Sequence, residues 1–206
     1  MAHTRILAFR LGAVVAAAIF AGCSIGPQQR PAHTEYDFRP APAQLAASPR
    51  IREPVLVPEV TAPAWLDTNA MVYRLAYQDV ASPRAYANSR WVMPPPALLT
   101  ARLRDRLARE SAAGVLAPED NARADAVLRV ELTEFAQVFS APGSSEAVVQ
   151  LRASLIRGQK LAAQRTFVAR KPAATADAPG AAAAFSAAAD EAIDAVAVWT
   201  AEALLK

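Results

Sequence analysis

Between residues 126 and 168 the apolar side chains of this chain fall on every second position, in three runs separated by turn residues. In residues 126–139, Leu128, Val130 and Leu132 alternate with Arg129, Glu131 and Thr133. In residues 147–156, Val149, Leu151, Ala153 and Leu155 alternate with Gln150, Arg152 and Ser154. A period of two sends alternate side chains to opposite faces of a strand, so each run reads as a strand with one buried face. The Pro142-Gly143 cluster separates the first two runs, and Gly158 separates the second from residues 161–168. The three make an antiparallel meander. One apolar sheet face must be covered, and residues 183–205 offer the cover. Phe185, Ala189, Ala192, Val196, Trp199 and Ala203 recur there at helical spacing.

A second helix follows Pro94-Pro95-Pro96, where proline suits a helix start. Leu99, Leu103 and Leu107 form its apolar stripe, and Gly114 marks its end. Residues 34–38, the proline-bounded stretch 51–58 and residues 71–78 read as further strands. Residues 62–69 read as a turn, 82–89 as a polar loop and 171–182 as a flexible loop. The expected fold is α+β: an antiparallel or mixed sheet of about four to six strands, with two main helices packed on one side.

The N-terminus carries a different message. Arg5 and Arg10 precede an uninterrupted apolar and small run over residues 11–22. A membrane-spanning helix needs roughly 20 apolar residues, and this run is shorter. It has the form of a cleavable secretion signal, residues 1–22. Phe20-Ala21-Gly22-Cys23 resembles the bacterial lipobox, with Phe20 where Leu or Val is usual. Cys23 is the only cysteine, which excludes an intramolecular disulfide and a thiolate metal site. Cys23 is therefore the expected lipidation site. Ser24 resembles the residue that sends Gram-negative lipoproteins to the outer membrane rather than keeping them at the inner one. Residues 23–49 hold Pro27, Pro31, Pro40, Pro42 and Pro49 and read as a lipidated tether. In polyproline geometry, at about 3.1 Å per residue, it reaches on the order of 80 Å. Residues 50–206 remain as a single α+β domain.

The chain's excess of 22 basic over 19 acidic residues drops by two once Arg5 and Arg10 leave. Without a basic block it is no nucleic-acid binder. Of the two histidines, His3 lies in the leader and His33 in the tether. That leaves no catalytic residue, metal site or cofactor site built on histidine in the domain. Gly26, Gly114, Gly143, Gly158 and Gly180 stand too far apart for a phosphate loop. Glu131 and Glu134, three apart in a strand, are expected on opposite faces. Asp190, Glu191 and Asp194 read as a solvated helix face. Trp91 and Trp199 read as core anchors. Trp65, in a proline-flanked turn, is the candidate exposed aromatic, and Trp65 with Leu66 is the candidate partner or lipid contact.

The order of these features resembles the PqiC-like family of ABC-type transport auxiliary lipoproteins. The resemblance is carried by Cys23, Tyr36-Asp37-Phe38, Val55 to Val57, the WLD…MVYR…RW…PP…LL succession through residues 63–103, the long strand ending at Phe135 and the alanine-rich last helix. It implies a lipid-anchored, periplasm-facing accessory subunit without catalysis. Its implied partners are an MCE-type substrate-binding protein and an ABC permease and ATPase that move phospholipids or other lipids across the envelope. A homo-oligomer fits such partners. The alternatives are an assembly lipoprotein of another outer-membrane biogenesis machine, or a histidine-free lipid-anchored hydrolase needing a close, exposed carboxylate pair.

Overall fold

The structure, a computed structural model, describes residues 33–40 and 50–205. The signal residues 1–22, Cys23 and most of the expected tether lie outside them. The fold class is the expected α+β, a mixed sheet with two helices. The strands are β1 (Thr34–Tyr36), β2 (Val55–Leu56), β3 (Ala70–Leu75), β4 (Asp79–Trp91), β5 (Val115–Leu116), β6 (Ala126–Ala141), β7 (Ser144–Arg157) and β8 (Lys160–Pro172). The helices are α1 (Pro95–Glu110) and α2 (Ala178–Leu204).

The meander β6–β7–β8 forms one side of the sheet, antiparallel throughout, with β8 at the edge. Its tight second turn places Gly158 and Gln159 both at positive φ, the backbone that a two-residue hairpin connection demands. On its other side β6 has two neighbours in sequence along its length. Val55 and Leu56 pair in parallel with Ala126 and Val127, and Tyr73 to Leu75 pair in parallel with Gln137 to Phe139. Between them Thr61 bridges to Glu131. β4 lies antiparallel to β3 and receives β1 in parallel at Ser89 to Trp91.

Both helices bury into one core. Leu99, Leu103 and Leu107 from α1 meet Leu128, Leu132, Leu151 and Leu155 from the meander and Phe185, Ala189, Ala192 and Val196 from α2. An aromatic knot locks the three layers of chain. Phe135 and Phe185 stack with centroids 4.3 Å apart, and Trp91 meets both edge-on at 5.6 and 5.4 Å. Phe38 closes the knot 5.8 Å from Trp91. Trp91 is fully buried, as expected, and Trp199 is half-buried with its ring 5.8 Å from Phe167.

The structure corrects several expectations. Part of the stretch read as a tether, 23–49, belongs to the fold: it supplies β1 and Phe38, and Arg39 N–H donates to Ser186 Oγ. Residues 82–89 are not a loop but the body of β4. They lack alternation because most of them are exposed. Residues 171–182 are not a flexible loop either, since β8 runs to Pro172 and α2 begins at Ala178. Asp177 caps that helix by accepting from Gly180 N–H at 2.8 Å, and Thr175 Oγ1 donates to the same carboxylate.

The cap leaves no room at Gly180, where an added Cβ would sit 2.2 Å from Thr175 O. Gly180→Ala must push the 173–177 turn away from the helix. We expect a loss of about 1–3 kcal/mol in chemical denaturation. A Gly180→Ala protein as stable as the parent would show that the turn yields freely.

Candidate interaction surface

Two surfaces gather ion pairs and the exposed Trp65: the seam between the helices and the open face of the sheet. At the seam, α1 turns Arg102 and Arg106, one helical turn apart, toward Asp190 and Asp194 of α2. Arg102 holds Asp190 through two hydrogen bonds of 2.7 and 3.1 Å, the forked geometry that suits guanidinium and carboxylate. Arg106 donates to Asp194 at 2.5 Å and to Glu110 at 2.9 Å. Glu110 also accepts from Arg50 at 2.8 Å and is only 5% exposed. The hydrogen bond from Arg50 holds the Glu110 carboxyl below its ordinary range, burial opposes this, and Arg106 adds to the lowering. The acids of α2 are therefore not simply a solvated face. They are interhelical partners, and Glu191 is likewise paired with Lys171.

On the open face of the sheet Glu131 and Glu134 were expected on opposite sides. They are on the same side. The pairing of β6 with β7 slips between Leu132 and Glu134, so Glu131 faces Arg152 and Glu134 faces Gln150. A bulge adds one residue and restores a shared face. The two acids remain separately engaged, Glu131 with Arg152 and Glu134 with Arg74 at 3.4 Å. A polar groove of about 350 Å³ crosses the strands here, lined by Thr61, Arg129, Glu131, Arg152, Ser154 and Gln164 among others.

Trp65 lies in the 62–69 turn, 39% exposed, with the Arg74 guanidinium 5.2 Å from its ring centre. Trp65, Arg74 and Glu134 thus form a stack from turn to sheet. Leu66 does not join that surface. It is 2% exposed and part of the core, so the expected contact narrows to Trp65. The turn itself is braced from below, because Val60 N–H donates to the buried Thr100 Oγ1 of α1 at 2.8 Å. Arg74 was not legible in the sequence, since its role depends on which residue the bulge sets opposite it.

One buried polar chain runs across the sheet at the β4 end. Tyr86 donates to Gln137 Oε1 at 2.7 Å, and Gln137 donates to Ser145 Oγ at 2.8 Å. Burial, with smaller contributions from the charge of Asp177 and from Tyr73, pushes the Tyr86 phenol up to about 12. It stays a neutral donor that pins β4. Among the described residues no group of three His, Cys, Asp or Glu side chains could hold a metal ion. No helix among them is long and apolar enough to cross a membrane.

Residues 36–197 match the family described as ABC-type transport auxiliary lipoprotein component. None of the curated proteins matches the chain. Among solved structures, a protein from Xanthomonas campestris has TM-score 0.69 at 24% identity, over 82% of this chain and 95% of that one. An uncharacterized protein has TM-score 0.61 at 15% identity, over 82% and 99%. A hypothetical protein from Chlamydia trachomatis has TM-score 0.51 at 10% identity, over 73% and 96%. At these identities the likenesses show a shared fold.

The seam makes a pH prediction. Because the folded Glu110 carboxyl titrates below its ordinary value of 4.5, its stabilisation is full above that value and fades as pH falls through the lowered one. Glu110→Gln should cost about 2 kcal/mol at pH 7. The deficit relative to the parent should shrink as pH drops below 4. A deficit constant from pH 7 to pH 3 in urea denaturation would contradict the charge-based account. At the other surface, Trp65→Ala should cost about 1–2 kcal/mol in urea denaturation, because the indole covers the guanidinium of Arg74, whose side chain is only 13% exposed.

Proposed function

Because the chain belongs to the ABC-type transport auxiliary lipoprotein component family, we propose that it is the lipid-anchored, periplasm-facing accessory subunit of an ABC transporter of the MCE type. In this reading the transporter moves phospholipids or other lipids across the cell envelope, and this subunit binds and anchors rather than catalyses. The observation that carries the reading is the family match over residues 36–197 placed behind the chain's sole cysteine.

Cys23 follows an apolar leader and small residues, so its sulfur is the natural point for lipid. One acyl chain gives only marginal, reversible membrane binding, and a stable anchor there takes more than one. Ser24 favours the outer membrane. The tether then spaces the domain from that membrane, which suits contact with an MCE-type substrate-binding protein and, through it, a permease and ATPase. A homo-oligomer matched to a ring-forming partner belongs to the same reading. Arginine engagement of Glu131, Glu134, Asp190 and Asp194 supports binding over acid–base chemistry. A general acid or base must reach the proton it moves on a substrate, and each of these carboxylates is turned to a guanidinium of its own chain instead.

Affinity capture of the full chain from solubilised membranes should recover MCE-type, permease and ATPase subunits. Recovery of outer-membrane biogenesis subunits in their place would overturn the assignment. Cys23→Ser should move the protein from the membrane to the soluble periplasmic fraction with an unchanged circular dichroism spectrum and Tm. Unchanged membrane fractionation would rule out the anchor at Cys23.

A further inference from the structure

The two long outer strands of this sheet are guarded differently. β4 carries β1 along Ser89 to Trp91, and Pro83 interrupts its run of N–H donors. β8 pairs with β7 on one side and, among the described residues, with no strand on the other. It is 13 residues long, and its proline stands at its last position, Pro172. Every second residue of an antiparallel strand turns its N–H and C=O toward the same neighbour, so β8 presents a regular ladder of outward backbone groups from Ala163 to Lys171, preceded by a bulge at Ala162. Such an edge is a ready template for another strand unless it is defended.

The defence on β8 is charge of one sign. Residues 158–176 contain Lys160, Arg165, Arg170 and Lys171 and no Asp or Glu. Arg170 is paired with Glu146 and Lys171 with Glu191. Lys160 and Arg165 have no carboxylate partner among the described residues; Arg165 lies 5.3 Å over the Phe167 ring. A second copy pairing β8 against β8 would bring like charges across the strands, which is destabilising. The same residues would reward an acidic strand. Val168, 49% exposed, sits between Thr166 and Arg170 on the open face and asks for an apolar or β-branched neighbour.

We propose that the free edge of β8 is a docking strip for an extended, acidic segment of a partner protein, which joins the sheet as an additional strand. The inference rests on the reading of this protein as a binding subunit and names the surface and the chemistry of its partner. Backbone hydrogen bonds supply attachment. Lys160 and Arg165 select carboxylates on one face of the added strand, and Val168 selects a β-branched residue on its other face. An anionic membrane would satisfy the charges but not the ladder, so it would leave the backbone amides of β8 exchanging freely.

The test uses the full chain in detergent and two synthetic heptapeptides, one alternating Glu with Val and one alternating Lys with Val. Fluorescence anisotropy should show the Glu–Val peptide binding at least about tenfold more tightly, from several opposite-charge cross-strand pairs. Amide hydrogen exchange should slow within residues 160–171. Lys160→Glu with Arg165→Glu, both exposed positions, should reverse the preference while leaving the circular dichroism spectrum unchanged. Equal binding of the two peptides, or protection elsewhere in the chain, would overturn the proposal. So would protection of β8 by phosphatidylglycerol vesicles but not by the Glu–Val peptide. Absence of peptide binding with transporter subunits still captured would remove the edge and leave the proposed function standing. Peptide binding without capture of any transporter subunit would do the reverse.

Discussion

The stacking of Phe185 on Phe135, with Trp91 edge-on to both, is the contact on which the rest of the domain depends. It joins the middle of the longest strand, the end of β4 and the first turns of α2 at one point. Beyond Phe185 the buried face of α2 is mostly small: Ala181, Ala182, Ala184, Ala188, Ala189, Ala192, Ala197 and Ala201. Such a face buries little apolar area per residue but lets helix and sheet approach closely. Helices of this kind owe their stability to packing as much as to propensity, and the aromatic knot fixes the register in which that packing occurs. Phe38 extends the knot into the N-terminal segment, which ties β1, the first described strand, to the core.

The charged residues act as fasteners between elements already brought together by the core. Arg102 and Arg106 bind the two helices, and Arg50 brings the start of the domain onto Glu110 at the end of α1. Several of these pairs are partly shielded, so breaking one partner leaves a charge in a poorly solvated place. That is where such pairs matter most. More exposed pairs such as Arg90 with Glu35 contribute little. This division leaves Glu131, Glu134, Asp190 and Asp194 each engaged by an arginine and gives the domain surfaces suited to recognition.

Much of the architecture was legible because its signals are local. Leu99, Leu103 and Leu107 are buried as their spacing requires, and the β6–β7 alternation reports one buried face over most of its length. The misreadings share a cause, namely pairing that local pattern does not encode. β4 is mostly exposed, so residues 82–89 show no periodicity. The bulge beside Thr133 shifts the parity of Glu134, and nothing in the sequence marks it. The true start of α2 lies in an alanine- and proline-rich stretch whose composition resembles a loop, and only the Asp177 cap with Gly180 reveals it. Trp65 and Leu66 are adjacent, yet the turn sends one to solvent and the other to the core. Cys23 was legible as a motif and lies outside the described residues.

The central proposal is that this protein works by anchored recognition and not by proton transfer. The most direct measurement is genetic complementation of lipid transport by Glu131→Gln with Glu134→Gln, the two acids that the bulge sets on one open face. The account predicts transport at the level of the unaltered protein, with membrane anchoring and capture of the transporter subunits retained. A folded, anchored double variant that still captures those subunits yet fails to support transport would contradict it.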